Sequence, residues 1–241
     1  MKKVLFFLLV LITSLFSKPI LKFYCGSTMS EVMGELVHKF EKENNVKIVI
    51  ITGGSGKLYN QITEKKDADL YLPGSQNYIK NDKNKLFLYK RLIGYNKAVI
   101  LVAKSNPKGI RDLNDFTRDD VRVVLGNENS GSVGKIAKKI LIRFRGEKYY
   151  KEVYEKAIKV DNSLEIVNLI KTKKADISID WKAVVFSKDN KNYIDYLDIA
   201  YIAPKQKLFL ALVKYSQYPD IAKKFIDFVF KNKLYLKNKG F

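Results

Sequence analysis

The fold is indicated by two stretches of the chain, residues 24–48 with the sequence YCGSTMSEVMGELVHKFEKENNVKI and residues 50–62 with the sequence IITGGSGKLYNQI. In each stretch an apolar strand runs into a loop rich in Gly, Ser and Thr, and the loop opens a helix. The backbone N–H groups of a first helical turn have no partner within the helix, and the helix dipole adds partial positive charge there. Small hydroxyl residues at such helix starts therefore favour a bound oxyanion.

The same alternation of strands and helices continues along the chain. Further apolar strands are predicted at 68–72, 98–103, 121–126, 176–181 and 207–213, and further helices from Val133 to Phe144, from Ser163 and from Pro219. This order predicts an α/β fold with largely parallel sheets. Because no flexible linker is evident, a second lobe must be joined through strands that cross between the lobes near 93–100 and 200–207.

The amino end has the pattern of a secretory signal peptide. After MKK, an apolar run from Val4 to Phe16 is followed by Ser17, a small residue suited to cleavage. The run is too short to span a bilayer. We therefore expect residues 1–17 to be removed and the remaining chain to be exported. Cys25 is the only cysteine, which excludes an intramolecular disulfide and a cysteine-rich metal site.

The formal charge of +20 raises the question of nucleic-acid binding. The lysines are spread over nearly every predicted helix face, and the chain carries an export signal. A lysine-rich solvated surface with some attraction for anions is the preferred interpretation. We expect no nucleic-acid partner.

The helix-start loops leave structural and functional interpretations open. Thr28 and Glu31 have the spacing of a capping box, so Thr28 could serve only its helix, whereas Ser27 would be free to face a ligand. Asn162 and Glu165 have the same spacing. Four such starts in one exported α/β chain suggest helix ends that converge on one cleft.

Nucleotide hydrolysis is not supported by the glycine-rich loops. In TGGSGK, a phosphate-binding loop would need a glycine at Ile51 and a hydroxyl residue at Leu58. The loop at 127–135 fails similarly, with Asn129 and Ile136 at the equivalent positions. Both loops therefore lack the hydroxyl group that would bind magnesium in a nucleotide-binding loop. Their small residues instead allow the backbone at a helix start to approach a compact anion closely.

Catalysis has little support either. His38 is the only histidine, and it lies in the middle of a predicted helix, where a solvated position is favoured. No G-x-S-x-G sequence and no cluster of metal-ligating residues occur. We expect a protein that is not an enzyme.

The loops, taken together, resemble the periplasmic substrate-binding proteins of molybdate-type oxyanion ABC importers. The matching stretches are CGST with its helix, GGSGKLYNQI, DADLYLPGS, KAVILVAKSNPKGI, LGNENSGSVGKIAKKIL and the ending AKKFIDFVFKNKLYLKNKGF. The resemblance covers essentially the whole exported chain. It implies a type II periplasmic binding protein fold with a two-strand hinge, with residues 18–97 and 204–241 in lobe 1 and residues 98–203 in lobe 2.

Five ligand-binding residues follow from the resemblance. The serines of the first two loops fall on Ser27 and Ser55, two backbone amides fall on Val133 and Ser163, and the tyrosine of the family falls on Trp181. Two of these positions depart from the family, since Ser163 is usually aliphatic there and Trp181 can donate but cannot accept. Its ring could instead fill the core of a lobe.

Asp180 precedes Trp181 in the predicted strand DISIDW. Alternation places Ile177, Ile179 and Trp181 on one face and Asp180 on the other, so Asp180 should point away from the anion. A bulge would bring Asp180 into the site and favour a protonated ligand such as phosphate.

The resemblance implies a monomeric periplasmic protein that binds molybdate or tungstate between its lobes and passes it to an inner-membrane ABC permease. No cofactor is expected, and no metal other than that of the oxyanion itself. The alternatives are another anion, namely sulfate, phosphate or a phosphonate, a secreted phosphoesterase, and an adhesion or structural protein.

Overall fold

The computed structural model describes residues 18–187 and 189–241, and the predicted signal peptide lies outside these residues. The strands in the described part are β1 (Ile20–Gly26), β2 (Lys47–Gly53), β3 (Leu70–Leu72), β4 (Phe87–Asn96), β5 (Ala98–Ala103), β6 (Val124–Gly126), β7 (Ile158–Val160), β8 (Ile177–Trp181), β9 (Ile194–Asp198) and β10 (Gln206–Val213). The helices there are α1 (Ser30–Glu43), α2 (Ser55–Lys65), α3 (Asn77–Lys80), α4 (Ser132–Lys156), α5 (Ser163–Lys171), α6 (Pro219–Lys231) and α7 (Lys233–Asn238).

A five-stranded sheet with the order β2-β1-β3-β10-β4 forms the centre of lobe 1. Strand β1 shows how the sheet is covered on both faces. Leu21, Phe23 and Cys25 pack into the core that α1 and α6 complete, whereas Tyr24 packs on the opposite face with Leu58 of α2. Alternation along the strand therefore explains why every second residue meets a different helix layer.

Lobe 2 is built on a three-stranded sheet with the order β8-β5-β9 and on the pair β6-β7. A parallel bridge between Val123 and Ile177 connects the two. The apolar faces of α4 and α5 complete one core whose members all lie between residues 98 and 203. The predicted inward residues of these helices, Ile136, Ile140 and Val167 among them, are buried in this core.

Two segments cross between the lobes. Lys97 connects β4 of the first sheet with β5 of the second, and residues 199–205 connect β9 with β10. The sequence predicts crossings near residues 93–100 and 200–207. These crossings bring together helix starts that are distant in the sequence.

The strand directions differ from the prediction of mainly parallel sheets. Parallel pairs are β1-β2, β1-β3 and β6-β7, whereas β10 pairs antiparallel with β3 and β4, and β5 pairs antiparallel with β8 and β9. The crossings explain part of this difference. The chain leaves lobe 1 through β4 and returns through β10, so these neighbouring strands must run in opposite directions.

Helix α4 extends beyond its predicted end at Phe144. The helical conformation breaks at Arg145 and at Gly146, where φ is 84°, a value that favours glycine, and then resumes to Lys156. Strands β7 and β9 were not predicted from the sequence, because they are short and carry several exposed or half-exposed residues. Among the described helices, none has the length and apolar composition that crossing a bilayer requires.

Candidate functional site

One small cavity between the lobes is lined by all five residues that the family resemblance singles out. These are Ser27 and Ser55 from lobe 1 and Val133, Ser163 and Trp181 from lobe 2. The remaining lining residues belong mostly to the glycine-rich loops: Gly26, Thr28, Met29, Gly53, Gly54, Gly74, Gly131, Ser132, Asp161 and Asn162. The cavity volume is about 10 Å³, which is about the room that one water molecule needs, so the lobes are closed tightly on each other.

Several helices begin at this cavity. Ser55 is the first residue of α2, Ser132 of α4 and Ser163 of α5, and Ser27 begins the short 3-10 helix that leads into α1. Each of these serines lines the cavity and is buried. The free N–H groups and the positive dipole ends of four helices therefore converge on one point, as the sequence predicts.

The hydroxyl groups of Ser55 and Ser27 are available as donors. Ser55 Oγ accepts a hydrogen bond from the Gly74 backbone N–H at 3.0 Å, which leaves the hydroxyl proton of Ser55 unused. The Tyr71 hydroxyl donates to the Ser55 carbonyl at 2.7 Å and fixes the start of α2. The Ser27 hydroxyl has no hydrogen-bond partner among residues 18–187 and 189–241, although the residue is only 7% exposed.

Thr28 does not form the capping box that its spacing allows. No side chain caps α1 at its N-terminus, and the Ser30 hydroxyl donates to the Ser27 carbonyl at 2.8 Å in the preceding 3-10 turn. This turn displaces Thr28 from the capping position. Thr28 Oγ1 instead donates to Ser163 Oγ at 3.1 Å, which is a hydrogen bond between the two lobes. Capping as the role of Thr28 is therefore wrong.

The start of α5 does have the predicted cap. The Asn162 side chain accepts hydrogen bonds from the backbone N–H groups of Leu164 at 2.9 Å and Glu165 at 3.2 Å. The Glu165 carboxylate accepts from the Asp161 N–H at 3.0 Å. The backbone N–H groups of Leu164 and Glu165 are thereby satisfied, and Ser163, whose amide the resemblance singles out, lines the cavity.

The Ser163 hydroxyl is directed towards Asp180 and away from the cavity. It donates to Asp180 Oδ1 at 2.6 Å, and the Trp181 backbone N–H donates to the same oxygen at 2.6 Å. Asp180 Oδ2 is buried and has no partner in the described part of the chain. Burial raises the pKa of Asp180 from 3.8 to about 7, although both hydrogen bonds oppose this shift.

Trp181 lies on the cavity side of β8, as alternation predicts. The register between β5 and β8 runs without interruption, with Val99 opposite Asp180 and Ala98 opposite Trp181. Asp180 therefore stays out of the cavity lining, and no bulge turns it inwards. The Trp181 ring is 1% exposed and belongs to the lobe 2 core as well as to the cavity wall.

Glycines allow the two lobes to approach each other. A Cβ atom at Gly54 would lie 2.6 Å from the Ser130 carbonyl oxygen and 2.9 Å from the Asp161 carbonyl oxygen, both in lobe 2. The Lys57 backbone N–H donates to the same Ser130 oxygen at 3.3 Å. Any side chain at position 54 would therefore hold the lobes apart.

Two lining residues, Gly74 and Ser132, were not predicted as site residues. Gly74 follows the third strand in the sequence LPGS, and Ser132 precedes the predicted amide donor Val133. The Gly74 N–H holds the Ser55 hydroxyl in place, as described above. A glycine directly after a buried strand is the only local signal for this role, and it is a weak one.

The described residues that line the cavity are mostly neutral and offer hydroxyl and backbone N–H donors, and Asp161 is the acidic residue among them. None of its lining residues in the described chain is a lysine, arginine or histidine. His38 is exposed on α1, away from the cavity lining, and residues 18–187 and 189–241 contain no group of three or more acidic, cysteine or histidine side chains that could hold a metal ion. Such an arrangement can bind and desolvate a small anion through hydroxyl and amide groups.

Comparison with known proteins identifies the family of the chain. Residues 21–235 match the family described as "Bacterial extracellular solute-binding protein". A relative from Haemophilus influenzae, named "Putative binding protein", is 24% identical over 211 residues, which are 85% of this chain and 82% of that protein. The chain therefore belongs to the family of bacterial extracellular solute-binding proteins.

Solved structures show the same fold. The sulfate-binding protein SubI from Mycobacterium tuberculosis has a TM-score of 0.80 at 15% identity, covering 92% of this chain and 86% of that one. The substrate binding domain of a putative molybdenum ABC transporter from Clostridium difficile has a TM-score of 0.64 at 20% identity, covering 92% and 97%. The predicted type II periplasmic binding protein fold is thereby confirmed.

Proposed function

We propose that this member of the family binds a tetrahedral oxyanion, molybdate or tungstate, in the cavity between its lobes. It then delivers the ion to the membrane permease of an ABC importer. The signal peptide expected from the sequence supports a periplasmic location for this step. Closure of lobe 2 (residues 98–203) on lobe 1 (residues 18–97 and 204–241) would bury the ion and form the surface that the permease recognises.

The main support for the proposal is a pair of serine hydroxyl groups that lie at helix starts in the cavity wall and have no acceptor for their protons among the described residues. Ser27 and Ser55 each have a hydroxyl proton free to donate into the cavity. In the proposed complex, the amides of Val133 and Ser163 add backbone donors at the starts of α4 and α5. The indole N–H of Trp181 supplies a fifth donor.

Neutral donors suit a transported ion, because helix dipoles and hydroxyls satisfy a dianion without the strong pairing of a buried salt bridge. The absence of cationic side chains from the described lining supports this mode of recognition.

We attribute selectivity to the orientation of Asp180. Its carboxyl group is turned towards Ser163 and the Trp181 backbone and is not positioned to accept a proton from the ligand. Hydrogen phosphate, which carries a proton at neutral pH, would leave that proton unpaired. Fully deprotonated ions are therefore preferred.

Sulfate is the second candidate ligand. It is also fully deprotonated at neutral pH, so hydroxyl and amide donors would suit it as well. The similar fold of the Mycobacterium tuberculosis sulfate-binding protein keeps this candidate open.

Isothermal titration calorimetry with molybdate, tungstate, sulfate and phosphate tests the proposal. We expect binding of molybdate and tungstate, weaker binding of sulfate and no binding of phosphate. A thermal-unfolding series provides an independent measure, since a ligand at about a hundred times its dissociation constant adds about 2.7 kcal/mol of stability. Preferential binding of phosphate would contradict the donor-only site, and binding of none of the four would contradict the proposed function.

A further inference from the structure

Asp180 is a fully buried carboxyl group directly behind the wall of the cavity between the lobes. Both of its hydrogen-bond donors belong to residues that line this cavity, namely the Ser163 hydroxyl and the Trp181 backbone N–H, each at 2.6 Å. The carboxyl group itself is not part of the lining and is 0% exposed. A charge on Asp180 would therefore lie within the protein, close to a charge in the cavity.

The hydrogen bonds of Asp180 suit its protonated form. Both donors contact Oδ1, and Oδ2 is buried without a partner in the described part of the chain. An ionised carboxylate needs donors at both oxygens, because an unpaired buried charge is costly. A proton on Oδ2 removes the charge and leaves Oδ1 free to accept both bonds.

The sheet around Asp180 offers it no paired charge. Strands β5 and β6 pack against β8 and contain no titratable residue. On β9, Asp198 lies on the same face of the sheet as Asp180, because Val99 of β5 pairs with both, but Asp198 is exposed and its charge is screened by solvent. Lys182, two residues beyond Asp180, is held over the Tyr196 ring, 4.4 Å from its centre.

The helices that pack against β8 add no charge next to Asp180 either. The residues that α4 buries before its break at Arg145, and those that α5 buries, are all uncharged. Glu165 of α5 is exposed and accepts from the Asp161 N–H. Asp161 lines the cavity but is partly exposed. Asp180 therefore forms no salt bridge with any described residue, and burial raises its pKa to about 7.

We propose that binding of the dianion in the cavity is coupled to uptake of one proton by Asp180. The proton comes from the solvent and is bound at Oδ2, and no bond of the ion changes. An ionised Asp180 and the bound ion would repel each other across Ser163 and Trp181, in surroundings too dry to screen the repulsion. The inference rests on the proposed function of the cavity and adds a specificity-determining residue that does not itself contact the ion.

The coupling gives the pH dependence a defined direction. Below the pKa of Asp180 in the free protein, the carboxyl group is neutral in both states and affinity should not change with pH. Above it the free protein loses the proton, so affinity should fall with rising pH until Asp180 is ionised in the complex as well. We expect a fall of about tenfold or more between about pH 6 and about pH 9. Molybdate and sulfate are fully deprotonated throughout this range, so the ion itself does not cause the fall.

Isothermal titration calorimetry with molybdate, and with sulfate as a second ion, measures the uptake directly. Titrations at about pH 8 in Tris and in HEPES differ in apparent enthalpy by an amount that gives the number of protons taken up. We expect about half a proton or more at about pH 8 and almost none at about pH 6. Binding without proton uptake would overturn this inference and leave the proposed function intact. Binding of neither ion would contradict the proposed function, and the inference would fail with it.

Variants identify the group that takes up the proton. Asp180→Asn is neutral at every pH and keeps an oxygen acceptor, so it should take up no proton and should bind more tightly than wild type at about pH 9. Asp198→Asn, on the same face of the sheet, keeps its acceptor for the Ala200 N–H and should behave as wild type. In infrared difference spectra at about pH 8, the carbonyl band of a protonated carboxyl group should appear when molybdate binds to wild type and not to Asp180→Asn. Wild-type uptake in Asp180→Asn would assign the proton to another group and overturn the inference.

Ser163→Ala provides a test that a purely structural role of Asp180 would not meet. The variant removes one of the two donors that favour the ionised carboxylate, so the fall in affinity should begin at a higher pH than in wild type. The backbone amide of Ser163 is retained. A fall that begins at or below the wild-type pH would contradict the assignment of the proton to Asp180.

Discussion

Ser55 and Ser163 are both buried serines at the first position of a helix, yet their hydroxyl groups have different hydrogen-bond partners. Ser55 Oγ accepts from the Gly74 N–H and keeps its proton for the cavity. Ser163 Oγ accepts from Thr28 and gives its proton to Asp180. The neighbours of each hydroxyl, which are distant in sequence, decide whether it can contact a ligand.

The two serines also differ in the charge of the groups that they contact. Ser55 is held by a neutral backbone amide, whereas Ser163 is one of two donors to a fully buried carboxyl group. In the proposed complex, lobe 1 therefore offers side-chain donors to the ion, and lobe 2 offers backbone amides at positions 133 and 163 and the indole of Trp181. We expect variants of the two serines to affect different properties of the protein.

The largest effect is expected for Asp180→Asn, measured as stability against pH. Burial raises the pKa of Asp180 from 3.8 to about 7, so the folded protein retains a proton that the unfolded chain has lost. The free energy of unfolding should therefore decrease as the pH rises from about 4 to about 7 and then level off. This pKa difference corresponds to roughly 4 kcal/mol at most. The asparagine variant keeps an oxygen acceptor for Ser163 and should lack this decrease.

Urea unfolding of wild type and Asp180→Asn at acidic and at mildly alkaline pH gives the measurement. Above neutral pH the variant should be the more stable of the two, because its core no longer contains a charge. Asp119→Asn, at an exposed position, serves as the matched control and should follow wild type. Parallel pH profiles for wild type and Asp180→Asn would show that Asp180 titrates as an ordinary carboxyl group.

The second prediction contrasts the two serines directly. Ser55→Ala should weaken oxyanion binding by roughly 1.5–3 kcal/mol, because a hydroxyl donor to a desolvated anion is lost. Ser27→Ala should have a similar effect. Ser163→Ala keeps its backbone amide and should weaken binding by less than about 1 kcal/mol, while lowering stability above neutral pH because Asp180 loses a donor.

Calorimetry and urea unfolding on these alanine variants separate the two roles. If Ser27→Ala and Ser55→Ala bind normally, their hydroxyls serve only the helix starts. If Ser163→Ala loses as much affinity as Ser55→Ala, the hydroxyl of Ser163 turns towards the ion when the ion is bound, and the contrast between the serines disappears.

The sequence predicts the helix starts well and their partners poorly. The starts of α2 and α5 follow from local signals, namely an apolar strand, small residues and an amphipathic helix. The partner of Thr28 could not be predicted, because Ser163 lies 135 residues further along the chain and the contact exists only between closed lobes. Local spacing suggested a cap, and tertiary packing decided otherwise.

The face of β8 on which Asp180 lies was predicted correctly from the strand sequence alone. Alternation along β8 correctly separates Asp180 from Trp181, because the register with β5 is regular. What alternation could not supply is the identity of the groups that face Asp180. Burial raises its pKa and the hydrogen bond from Ser163 partly opposes that rise, and neither is evident from the strand sequence.

The third prediction concerns Trp181, the only tryptophan of the chain. If its indole N–H contacts the oxyanion, the fluorescence of Trp181 should change saturably on titration. Trp181→Phe keeps most of the apolar body and removes the donor, so it should weaken binding by roughly 1–3 kcal/mol with the fold retained. Constant emission at concentrations where calorimetry detects binding, together with normal affinity of Trp181→Phe, would make Trp181 a core residue only.

The smallest effect is expected for Thr28→Val, which removes the donor to Ser163 and preserves the shape of the side chain. The hydrogen bond joins the lobes and is neutral, so its loss should lower oxyanion affinity through weaker closure by about 0.5–1.5 kcal/mol. The loss should appear mainly as faster dissociation, because the bond forms only once the lobes meet. Stopped-flow measurement of Trp181 emission, or surface-based kinetics if emission is constant, gives the two rates.

In the Ser163→Ala background Thr28→Val should have almost no further effect, since the acceptor of the bond is already absent. Additive losses in the double variant would mean that Thr28 acts on the ion directly, and the contrast between Ser55 and Ser163 would then have to include Thr28 among the side-chain donors of lobe 1.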